Sequence, residues 1–189
     1  MWNLDGVGKG SILDLGPAWQ TTLSFFIERG FLVSSNDLLS AWNGFLEEEG
    51  VPFGEDPGVP TSGDAAVRGR IARFLEVNLQ YKRGSLDAVL LWDLLEFLEP
   101  ELANETVGLV TELLRPGGLV FAMFHSKKPE GFRRYRVVDS STLEMISASV
   151  IRPFQKVYQS NEIQELFRSY RTMKSFVGRD QLREALFVK

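Results

Sequence analysis

Three aspartates and one histidine stand where short apolar runs end: Asp14 after Ile12-Leu13, Asp37 shortly after Phe31-Leu32-Val33, Asp93 after Leu86 to Trp92, and His125 after Leu119 to Phe124. Side chains of these types do distinct chemistry. An ionised carboxylate accepts hydrogen bonds in pairs, which suits Asp37 to the two vicinal hydroxyls of a ribose. Asp93 and His125 are the candidate general bases, since either can take a proton near neutral pH once its surroundings tune it. The face of Trp92 attracts cations. Each also has a structural use: Asp14 can hold a turn, Asp37 can cap a helix, and Trp92 and a lone histidine can serve the core.

These residues act together only if the chain gathers its strand ends. Ser11 to Trp19 reads as a buried strand that turns at Gly16-Pro17 into a helix carrying Leu23, Phe25, Phe26 and Ile27, with Thr21 or Thr22 as its cap, and Arg29-Gly30 stops it. Phe31 to Val33 is a second strand, and Leu38 to Glu49 an amphipathic helix that buries Leu38, Leu39, Trp42 and Leu46. Val51 to Gly63, with three prolines and three glycines, reads as a surface loop long enough to serve as a lid. A helix to about Ala72 and a strand from Arg73 to Leu79 follow, which puts Asn78 and Leu79 at another strand end. Leu86 to Trp92 is a strand dense in aliphatic residues; Pro100 to Leu114 is a helix with proline in its first turn. After the strand Leu119 to Phe124, Tyr135 to Val138 and Leu143 to Ile146 suggest a hairpin within an insertion over about residues 127 to 158. A helix capped by Ser160 and two strands, Thr172 to Val177 and Glu184 to Val188, close the chain.

Strands alternating with helices imply a doubly wound, mostly parallel sheet in a single α/β domain, with ligands bound at the carboxyl edge of the strands. The 189 residues, 44% hydrophobic and 24% charged, support one full core. Without cysteine, and with His125 as the single histidine, there is neither a thiolate metal site nor a histidine cluster, so no metal is expected. A formal charge of −4 gives no general attraction to nucleic acid or to membranes. Lys127, Lys128, Arg133, Arg134 and Arg136 form a local basic stretch suited to an acidic substrate or to solvent. Tyr81 is a candidate for the substrate mouth. No apolar run approaches a membrane span, and a cytoplasmic protein is expected.

Ile12-Leu13-Asp14-Leu15-Gly16 resembles the first motif of the class I S-adenosylmethionine-dependent methyltransferases. Ser85 to Asp93 resembles that family's fourth-strand motif, and Leu113-Leu114-Arg115-Pro116-Gly117-Gly118 its turn before the fifth strand. The closing helix, strand and antiparallel strand are similar to the family's end, and the resemblance covers nearly the whole chain. It implies a seven-stranded sheet and S-adenosylmethionine as cofactor, held by Asp14, Gly16, Ala18, Asp37, Leu38, Asn78, Leu79 and Trp92. It also implies methyl transfer to an oxygen or nitrogen of a small-molecule or protein acceptor. Where the family's first motif carries three alternating glycines, this chain keeps Gly16 but has Ala18 and Gln20 at the other two positions, and Pro17 removes an amide donor. A methyltransferase-like interaction module and, less favoured, a nucleotide-binding oxidoreductase are the alternatives.

Overall fold

The computed structural model describes residues 9–51, 65–178 and 181–189. The expected lead-in, with Trp2 and Leu4, and the expected loop beyond Val51 lie outside the described residues.

The sheet is built from β1 (Ser11–Asp14), β2 (Leu32–Ser35), β3 (Leu86–Trp92), β4 (Leu114–His125), β7 (Thr172–Val177) and β8 (Leu182–Val188), in the order β2-β1-β3-β4-β8-β7. The first four are parallel, β8 inserts antiparallel to β4, and β7 pairs antiparallel with β8 at the edge. Parallel strands buried on both faces need near-continuous apolar sequence, which Ala88-Val89-Leu90-Leu91 supplies. Alternation along the strands then separates two cores. Leu13, Val89, Val120 and Phe187 pack under α2 (Leu38–Glu48), α3 (Ala65–Asn78), α4 (Pro100–Leu113) and α5 (Ser160–Leu166). On the opposite face Ile12, Leu90 and Phe121 meet Phe25 and Phe26 of α1 (Gln20–Ile27), together with Tyr135 and Val137 of a separate hairpin, β5 (Arg133–Val137) and β6 (Leu143–Ser147). Each large side chain so buried contributes about 1.5–3 kcal/mol. The hairpin thus covers the second face beside the carboxyl ends of β3 and β4.

Three local expectations are corrected. The Leu75, Val77, Leu79 alternation makes no strand: Ala65–Asn78 is one helix burying Ile71, Phe74 and Leu75, and Val77, which a strand would have packed, is 69% exposed. The sheet therefore has six strands among the described residues rather than seven. Neither threonine caps α1, whose N-cap position is Trp19. Thr22 is instead buried, and its hydroxyl accepts from the Val137 backbone N–H at 2.9 Å, because β5 docks against α1. The N-cap position of α5 is Gln159, one residue before Ser160, with the Glu162 carboxylate accepting from the Gln159 N–H at 2.8 Å.

Two anchors close the fold. Lys189 donates through Nζ to the carbonyls of Thr111 and Leu114 at the end of α4, where a cation complements the helix dipole. Deeper in, Arg152, 1% exposed, donates to Glu99 Oε1 at 3.0 Å, and Trp42 Nε1 donates to Glu99 Oε2 at 2.9 Å.

Candidate nucleoside site at the carboxyl edge of the sheet

Asp14 ends β1 with 1% of its surface exposed, and its Oδ1 accepts from the Gly16 N–H at 2.9 Å and from Trp92 Nε1 at 2.7 Å. Its Oδ2 is buried without a hydrogen-bond partner among the described residues. Burial pushes this carboxyl up to about 6, against the pull of its bonds to Trp92 and Gly16. Trp92 ends β3 in the left-handed region at φ 53°, a conformation a non-glycine residue holds only when its surroundings enforce it. The indole that results lies across the turn: a Cβ added to Gly16 would stand 2.7 Å from Trp92 Cδ1 and Nε1. Glycine at position 16 therefore accommodates the indole itself. Tyr135 stacks on Trp92, with centroids 6.2 Å apart and planes at 7°.

At the end of β2, Asp37 stands at the N-cap of α2, accepting from the Ser40 N–H at 3.2 Å and from its hydroxyl at 2.7 Å. Both of its oxygens also accept from Arg134 of β5, at 3.0 and 2.8 Å. Asn36 beside it donates through Nδ2 to the Asn78 carbonyl at 2.8 Å, so Asn78 reaches this corner from the end of α3 and not from a strand. The Asn78 amide donates back to Phe74 within its own helix.

A third cluster lies at the ends of β3 and β4. Asp93, 7% exposed, has its carboxyl pushed up to about 7 by burial and by Glu96, against the opposing charge of His125. The Tyr135 hydroxyl is near enough to Asp93 for each to shift the other, outside hydrogen-bonding geometry. Glu96, wholly buried in the 3-10 turn Leu94–Glu96, accepts from the His125 backbone N–H at 3.0 and 3.1 Å and contacts His125 Nδ1 at 2.6 Å. Burial lowers the imidazole's affinity for a proton, but the bond and charge of Glu96, with Asp93, outweigh it and hold His125 above its ordinary value.

The edge thus brings together Asp14, Gly16, Trp92, Asp37, Asp93 and His125. Leu38 and Leu79 are core residues, 0% and 4% exposed. Ala18 is exposed on the turn, and Gln20 is exposed with its amide bonded to Ser24 one helical turn on, so it points along its own helix. Sequence reasoning missed Glu96 and Tyr135, and it placed Arg134 only in a basic stretch for an acidic substrate or solvent, not on Asp37. The signal for Glu96 was an acid set among Leu94, Leu95, Phe97 and Leu98; the pairing of Arg134 with Asp37 and the stacking of Tyr135 on Trp92 carried no local sign. Among the described residues no helix is long and apolar enough to cross a membrane.

Strand order, the antiparallel insertion of β8 and the acids at the strand ends define a methyltransferase-type Rossmann-like fold. No family model and no curated protein matches the sequence. Among solved structures, an S-adenosylmethionine-dependent methyltransferase from Archaeoglobus fulgidus superposes with a TM-score of 0.53 at 12% identity, over 96% of this chain and 87% of that one. One from Methanosarcina mazei gives 0.52 at 14% identity, over 96% and 93%. The chain has the fold of the class I S-adenosylmethionine-dependent methyltransferases.

Proposed function

We propose that this protein is an S-adenosylmethionine-dependent methyltransferase acting on an oxygen or nitrogen of a small molecule or protein. The observation that carries the reading is the orphaned Oδ2 of Asp14, an acceptor buried at the first turn of the sheet's carboxyl edge, where a ligand cation or N–H would satisfy it. Asp37 supports it as a two-oxygen acceptor at the end of β2, the place a ribose requires. The cofactor supplies an electrophilic methyl group on a sulfonium. Asp14, the Gly16 turn and Asp37 would hold it.

Asp93 is the better matched general base, since a carboxyl tuned to about 7 takes up a proton readily at neutral pH. The bond and charge of Glu96 favour the imidazolium form of His125, against the effect of burial, beside Asp93. Alignment of acceptor and methyl group can by itself supply ~7–11 kcal/mol, so elaborate acid-base machinery is not required. Calorimetric titration with S-adenosylhomocysteine, with NADH in parallel, tests the reading. One-to-one binding of the first ligand is expected. Binding of NADH instead would make the protein an oxidoreductase. Binding of neither ligand would favour an interaction module whose turn is filled by Trp92.

A further inference from the structure

Arg134 occupies the carboxylate that the proposed function assigns to the ribose. Its Nη2 donates to both Asp37 oxygens, at 3.0 and 2.8 Å, and to Ser40 Oγ at 3.3 Å, and 12% of the side chain is exposed. The strand that carries it is fixed. Tyr135 and Val137, the next two inward positions of β5, are 2% and 0% exposed, and the Val137 N–H is bonded to Thr22 inside the protein. Asp37 is fixed as well, by its cap on Ser40.

We propose that Arg134 is a side-chain gate on the nucleoside seat, holding the place of the ribose hydroxyls on Asp37 until ligand displaces it, while the hairpin backbone stays docked. The inference rests on Asp37 being the ribose acceptor. The choice of moving part follows from what each motion exposes. Lifting the hairpin would bare Tyr135 and Val137 and orphan the Val137 N–H. Swinging Arg134 outward breaks the ion pair with Asp37 and the long bond to Ser40 Oγ, and the freed groups are then taken up by ligand donors and by water.

Arg134→Gln removes the internal competitor, so the fraction of protein ready to bind rises and S-adenosylhomocysteine should bind about threefold to tenfold tighter than to wild type. Arg134→Lys, which keeps the charge on a different side chain, should give a smaller gain and serves if the glutamine variant does not fold. In wild type, hydrogen exchange at the Val137 amide should not speed up on adding S-adenosylhomocysteine. Wild-type binding that neither variant tightens would overturn the gate alone, leaving the ribose assignment intact. Loss of Val137 protection on ligand binding would overturn it too, by showing that the whole hairpin lifts. No binding by any of the three proteins would remove the cofactor reading and the gate with it.

Discussion

Replacing Asp93 by asparagine should make the protein progressively more stable than wild type as pH rises. The carboxyl is 7% exposed and its affinity for a proton is raised by burial to about 7, whereas in the unfolded chain it titrates at the ordinary carboxylate value near 3.8. Between those values the native state keeps a proton that the unfolded state has lost. The stability from this group is thus fully present below the lower value and lost as pH rises through the upper one. About two pKa units of that interval lie above pH 5, and each is worth ~1.4 kcal/mol. The asparagine variant keeps the shape of the neutral acid and cannot ionise. Its stability relative to wild type should therefore improve by about 2–3 kcal/mol between pH 5 and pH 8. Urea unfolding of both proteins at the two pH values measures this double difference, in which any constant effect of the substitution cancels. A difference that does not move with pH, or that moves against the variant, would show that no buried charge is being stored at Asp93.

Two further outcomes test the neighbouring contacts. Because His125 is the single histidine of the chain, its imidazole resonances can be followed by NMR without ambiguity; Glu96→Gln should lower the pH at which they titrate, since burial remains while the opposing carboxylate charge is gone, and an unchanged titration would separate Glu96 from His125 in solution. Gly16→Ala places a methyl 2.7 Å from the Trp92 indole and must push it off Asp14, which should destabilise the protein by about 1–3 kcal/mol in thermal unfolding; a wild-type melting temperature would mean that Trp92 does not rest on the turn.

Much of the scaffold was legible because its signals are local. A buried strand running into Asp14-Leu15-Gly16, an aliphatic strand ending at Trp92-Asp93 and the closing pair of strands each declare themselves within a few residues, and β8 does insert beside β4. The segment around Arg73 to Leu79 misled because its apolar residues fit two periods at once. Helix won because Ile71, Phe74 and Leu75 share one helical face that packs into the core. Gln20 was equally undecided from sequence, since whether a side chain enters a site or lies along its helix depends on a rotamer and a neighbour, here Ser24.

The sequence by itself determined the class of fold and the acids at the ends of its strands, because apolar periodicity and turn residues act over short stretches of chain. Only the tertiary structure decided what those acids touch. Arg134 lies 97 residues from Asp37, Trp92 lies 78 from Asp14, and His125 lies 29 from Glu96. No local preference sets such pairings; they follow from where the β5–β6 hairpin packs and from how strand ends converge on one edge of the sheet. The same packing set the protonation of Asp93, since a carboxyl's charge costs little in water and a great deal once Tyr135 and its neighbours have excluded solvent from it.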